Sequence, residues 1–443
     1  MLVWAIALSH ATLAANSTMV AVALPSIRQD FDVSLGVATW LIVGFLVAFA
    51  VIQPLGGKLG DRLGRGRVLM WGLGVAMLFS ALSIFAWNAW ALLALRVLQA
   101  AGMAMIIPNG MALIRDTFPM ERRGRAFGLV AITSVIGASL APLIAGPIVD
   151  LSWRGIPLAV GAALIVCTGM AVLALPRGRH TSAAPEPIDL LGVVLLAAAV
   201  LCLATFATLL HQETPWPALL FLASGAVLAT AFFAWEGHAP SPVIGLSLYR
   251  IRSYAMASLA MHGIQLTMYS IVLSTPLFLE EVRGLSAKQS GLMLAVMSMG
   301  SAISAPFGGR LADRFGRRNP VLGGIVLLLL GVGVIAGFGL EGPVWTYGLG
   351  LVLLGAGFGL QAAGINTSVV ESCPREVAAT AAGTAQMTRH LGSVVGSSIV
   401  AAVLGAGAIA AGEVRLVLII TGSLALLSMG AAYRIHHWPQ RDG

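Results

Sequence analysis

Charge is scarce in this sequence. Only 10% of its 443 residues are Asp, Glu, Lys or Arg, whereas soluble domains carry about a quarter. No stretch has the composition of a separate soluble domain. Cysteine is almost missing too. Cys167 and Cys202 lie in apolar runs and Cys373 in a loop, which argues against a disulfide framework or a thiolate metal site. The sequence has no HExxH, no CxxC and no phosphate-binding Gly-Lys-Ser/Thr motif, so zinc hydrolysis, dithiol chemistry and ATP drive have no support. The alternating pattern of a membrane β-barrel is absent as well. No cofactor or metal is expected, nor is an enzyme.

What is present is apolar sequence, 58% of the chain. Runs of about 20 apolar residues recur, each long enough to cross a bilayer as a helix. Fourteen such spans can be placed between residues 2 and 434. The first is read as retained rather than as a signal peptide, because it lacks a basic n-region and stays apolar as far as Pro25. The net charge of +8 sits in short loops, which fits a lipid bilayer rather than nucleic acid as the partner. With the 56–67 segment inside, the inner loops and tail hold 19 basic residues against 5 outside. That asymmetry predicts a plasma (inner) membrane protein with both termini cytoplasmic.

One short charged segment occurs twice. GGKLGDRLGRGR at 56–67 returns as GGRLADRFGRR at 308–318, with Asp61 and Asp313 252 residues apart. Both copies lie between apolar runs and read as internal turns that hinge two similar halves. Two plain six-span halves would put the copies about 200 residues apart, at roughly 30 residues per span and loop. The excess leaves room for two additional spans. They are flanked by PRGRHTSAAPEP (176–187) and EGHAPSP (236–242). The predicted division is 1–178, a six-helix bundle; 188–236, two additional transmembrane helices; and 250–443, a second six-helix bundle.

Gly57, Asp61, Arg62, Gly64 and Arg65, with Asp313, Arg314, Gly316 and Arg317 in the copy, can latch one conformation and release in another. A plain positive-inside turn is the simpler alternative. Arg96, Gln99, Met103, Ile106 and Gly110 share one face of span four. An Arg inside a span faces a cavity or a partner, or else snorkels to the interface. Gly128, Gly137, Pro142 and Gly146 in span five allow close helix approach and a bend. Arg389 lies deep in span thirteen, in QMTRHLGSVVG, and needs water, substrate or a carbonyl.

With these motifs the chain resembles the major facilitator superfamily, and most of all its fourteen-span drug/proton antiporter branch. The loop signature, the span-four Arg, the span-five glycines and AANSTMVAVALP (14–25) carry the likeness. The resemblance implies an all-α major-facilitator fold: two six-helix bundles plus two extra linker helices, with a substrate cleft between the bundles. It implies proton-coupled efflux of small amphiphilic compounds by alternating access, with Arg96 in proton coupling and the span-five glycines in antiport. Two departures stand out. The span-one acid of the pattern is Asn16 here, and its later Asn is Ala21. All eighteen acids fall in loops, tails or span edges, so His10 and His262 are the remaining titratable candidates for coupling. Asn16, Gln99, Asn109, Gln265, Tyr269, Gln361, Asn366 and Arg389 are the expected polar contacts for a small-molecule substrate. Without an interior carboxylate, neutral or anionic substrates are expected over quaternary cations. An uncoupled facilitator or importer of the same fold, and a non-transporting receptor or scaffold, are the alternatives.

Overall fold

The computed structural model describes residues 1–175, 189–210, 216–239, 242–373, 378–405 and 409–435. Among these there is no strand, and fourteen helices are long and apolar enough to cross a membrane. They are α1 (Leu2–Asp30), α2 (Leu35–Leu63), α3 (Arg65–Ser83), α4 (Ala89–Thr117), α5 (Met120–Leu151), α6 (Gly155–Ala174) and α7 (Leu190–Leu209). Then follow α8 (Trp216–Glu236), α9 (Arg252–Glu281), α10 (Ala287–Phe315), α11 (Arg318–Val334), α12 (Val344–Glu371), α13 (Ala378–Leu404) and α14 (Ala411–Tyr433). The linker expected at 176–187 lies wholly outside the described residues.

The chain divides into two compact units, Met1–Val243 and Ile244–Gly443. In the first, α1 packs against α5 and α6, and α4 lies between α2 and α3. The additional helices α7 and α8 pair with each other, and α7 rests on α2. Asp189 does two jobs at that pair. It caps α7 by accepting from the Gly192 N–H (2.9 Å), and it accepts from the Trp235 indole of α8 (2.9 Å). In the second unit, α9 packs against α13 and α14, and α12 lies between α10 and α11. The same pairings thus occur in both units, as a duplicated sequence would give.

Helices meet in a membrane without a hydrophobic force between them, so close backbone approach matters more than side-chain bulk. The glycines supply it. A methyl group built on Gly102 would lie 2.8 Å from the Gly72 carbonyl, and one on Gly355 only 1.8 Å from the Met297 carbonyl.

The first helix runs through Pro25 to Asp30. One expectation about local structure is corrected. The repeated charged segment is not a loop. Residues 56–63 form the last two turns of α2, and the equivalent residues close α10. Gly64 (φ 99°) alone separates α2 from α3, and Gly316 (φ 78°) with Arg317 separates α10 from α11. That backbone region suits glycine alone among common residues. The next helix starts at once after Gly64, which fixes the charged side chains on rigid helix ends.

Candidate functional site

The repeated segment forms a charge clamp in each unit. Arg65, the first residue of α3, donates through Nε (3.0 Å) and Nη2 (2.8 Å) to Asp61 Oδ1 at the end of α2. Its Nη1 donates to Asp116 Oδ2 at the end of α4. One guanidinium therefore ties three helix ends together. Arg65 is 14% exposed while its partners are 46% and 33% exposed, so the clamp is reachable by water and can open. In the second unit Arg317 donates to Glu371 at the end of α12, and Arg314 lies against the Phe315 ring (5.3 Å). No motif in the sequence marks Asp116 or Glu371. The available signal was their shared position at the ends of the fourth and twelfth spans, on the same side as the repeat. Gly56 and Gly308 open each motif and sit on backbone; Gly57 and Gly309 do not. A methyl on Gly56 would lie 2.8 Å from Met105 Cα, and one on Gly308 would lie 2.1 Å from the Leu360 carbonyl.

The interior of the first unit holds the span-four constellation. Arg96 is only 5% exposed. Its Nε donates to the Leu41 carbonyl (2.9 Å), its Nη1 faces Gln99 Oε1 (3.5 Å), and its guanidinium lies over the Phe45 ring (4.7 Å). It does not snorkel. Asn16, Arg96 and Gln99 line one cavity. His10 is tied through Nδ1 to the Ile6 carbonyl (2.8 Å) and lies beside Gly110. Asn109 is occupied with packing instead. It donates to the Gly56 and Met105 carbonyls (both 2.8 Å) and lies against Gly60.

In the span-five motif the structure separates glycines that the sequence treats alike. A methyl on Gly137 would lie 2.7 Å from the Ala11 carbonyl of α1, whereas Gly128 has open space. Pro142 and Gly146 are buried. Gly137→Ala should therefore cost about 1–3 kcal/mol by overpacking, and Gly128→Ala nothing on that account. Thermal unfolding of the purified variants checks this; equal midpoints would show that the α1–α5 seam yields freely.

The second unit gathers a different set. His262 Nδ1 meets the Thr388 carbonyl (3.0 Å), and the Tyr249 and Thr388 hydroxyls share a bond (2.6 Å). Tyr249 lies in a short turn outside the spans, where burial pushes its phenol pKa up. Arg389 neighbours Tyr269. Gln265 is buried. Gln361 donates to the Phe358 carbonyl (2.9 Å) and packs on Gly324 of α11, while Asn366 donates to Ala362 (2.7 Å) and is exposed. The sequence did not link Thr388 or Tyr249 to His262.

Fourteen apolar helices with charged clamps at their ends and polar groups inside define a polytopic membrane transporter. The chain belongs to the major facilitator superfamily, whose family model matches residues 6–397. It is 30% identical to an uncharacterized MFS-type transporter, YwoD, of Bacillus subtilis, over 93% of this chain and 92% of the relative. It is 32% identical to a probable actinorhodin transporter of Streptomyces coelicolor, over 87% and 68% of the two chains. It is 29% identical to the tetracenomycin C resistance and export protein of Streptomyces glaucescens, over 89% and 74%. A D-xylose-proton symporter has the same fold, with a TM-score of 0.71 at 15% identity over 99% of this chain and 98% of the other.

Proposed function

We propose that this transporter exports small amphiphilic compounds, drugs or secondary metabolites, by proton-coupled alternating access. In this reading it sits in the plasma (inner) membrane with both termini cytoplasmic. The observation that carries the proposal is the clamp built once in each unit, Arg65 on Asp61 and Asp116, and Arg317 on Glu371. A device of partly exposed ion pairs across helix ends is bistable, because each pair exchanges protein partners for water at little net cost. Relatives named for multidrug resistance and for tetracenomycin C export support the direction. The segment 188–236 is read as an accessory pair joined to the first bundle. Arg96, His10 and His262 are the coupling residues in this reading; Asn16, Gln99, Gln265, Tyr269 and Arg389 are the substrate contacts.

A specific observation favours a second reading, an uncoupled facilitator or importer. Asn16 carries no proton at physiological pH, and the histidines are tied to backbone carbonyls. Proteoliposomes with and without an imposed pH gradient, tested with neutral, anionic and cationic compounds, separate the two. Gradient-driven accumulation of neutral or anionic amphiphiles is expected. Flux indifferent to the gradient would leave the facilitator. Asp61→Asn should slow transport several-fold at unchanged expression, since Arg65 keeps Asp116 as a partner; an unaltered rate would remove the clamp's role in switching.

A further inference from the structure

Arg96 is a fixed positive charge in the interior of the first unit. A guanidinium stays protonated in proteins, and an ion removed from water needs a counter-charge or a full set of hydrogen bonds. Arg96 has neither among the described residues. Its partners are a carbonyl, a distant amide oxygen and an aromatic face, all neutral. Its Nη2 is buried and has no hydrogen-bond partner there. Buried polar atoms left in that condition are rare and call for an explanation.

The surroundings suit a negative guest. The cavity that Arg96 lines also takes in Asn16, Ser83, Gln99, Trp153 and Pro157. Asn16 is 1% exposed, and its amide nitrogen has only the Met103 sulfur, at 3.9 Å, as a described acceptor. Arg96 and Asn16, one charged donor and one neutral, therefore line one cavity, each with an N–H that has no strong acceptor among the described residues. Asp30 stands behind the Trp153 indole at 2.9 Å and is itself paired with Arg154 at 2.8 Å. It is 42% exposed on its side chain, at the helix end rather than on the cavity wall.

Size selects the guest. The cavity volume is about 20 Å³, and about 10–15 Å³ on the same measure admits one water. In this conformation an amphiphile, or a carboxylate head with a chain attached, does not fit. A halide ion, little larger than water and without directional demands, does. We infer that Arg96 and Asn16 form a binding site for a single small monovalent anion, chloride in ordinary salt, inside the first bundle. The anion supplies the counter-charge that the helices themselves do not. The site shares Arg96 and Asn16 with the proposed coupling and substrate residues, but it rests on the unpaired guanidinium and is read by stability, so it does not depend on transport.

The test uses the full chain in neutral detergent. Its thermal midpoint, read by intrinsic fluorescence, is followed as sodium gluconate is replaced by sodium chloride or bromide at constant ionic strength. Chloride and bromide should raise the midpoint saturably, by about 3 °C at a hundredfold excess over Kd. Gluconate, too large to enter, should not. Arg96→Gln should abolish the dependence. Because that variant can fail to fold, Asn16→Asp is the decisive one. A carboxylate lining the same cavity provides the counter-charge, so N16D should be as stable in gluconate as in chloride. An identical wild-type midpoint in chloride and gluconate would overturn the site, and so would a chloride shift that survives in N16D.

Discussion

Gly308→Ala should prevent stable folding, while Gly309→Ala, one residue along, should be tolerated. The two glycines read identically in the sequence, as an adjacent pair opening the repeated motif. In the structure a methyl on Gly308 would lie 2.1 Å from the Leu360 carbonyl and 3.0 Å from its Cα. Those atoms belong to the backbone of α12 and cannot rotate away. The helices would have to separate along a seam where α10 and α12 make their main contact. Overpacking of this kind costs about 3 kcal/mol or more, which is a hundredfold or greater shift toward unfolded protein. A methyl on Gly309 meets nothing nearer than Ala363 Cβ at 3.9 Å, an ordinary contact. The first copy should behave alike but more mildly. Gly56 faces Met105 Cα at 2.8 Å, and Gly57 faces Pro108 Cβ at 3.5 Å. The yield of monodisperse protein after detergent extraction reads this out. Comparable yields for G308A and G309A would show that α10 and α12 do not pack as described.

Arg65→Met should leave folding intact and cut transport about tenfold. Methionine keeps the apolar stem but removes every bond to Asp61 and Asp116. Each charge-assisted bond contributes about 1.5–3 kcal/mol when buried. Both carboxylates are a third exposed or more, so solvent reduces the total to about 1–2 kcal/mol. A loss of that size shifts a two-state equilibrium about tenfold. It does not threaten a bundle held by seams such as Gly56 on α4. Asp116→Asn should reproduce much of the defect. Combining it with Asp61→Asn should cost little more than Arg65→Met alone, because all three act through one guanidinium. Initial rates in vesicles at matched protein levels decide it. Additive losses in the double variant would mean that the two carboxylates act separately.

These predictions divide between what the chain states locally and what it does not. Fourteen spans, a duplicated half and membership of the superfamily were legible, because hydropathy and repeat spacing are properties of the sequence taken in order. A span must satisfy its own backbone in lipid wherever its neighbours lie. The break after α2 and after α10 was legible as a glycine-rich place, but not as Gly64 alone in one copy and Gly316 with Arg317 in the other. Helix propensity does not say that Gly56, Gly57 and Gly60 stay helical; packing against α4 overrides it.

By itself, then, the sequence determined the number of spans, their order, the twofold repeat and the scarcity of interior acids. The tertiary structure alone decided which of two adjacent glycines lies on a backbone, that Asp116 and Glu371 complete the clamps, and that Asn109 is occupied with packing while Arg96 keeps a buried N–H without an acceptor among the described residues. The reason is geometric. Facing partners across a seam depend on the rotation and depth of each helix, and those are fixed by neighbours far away in the chain.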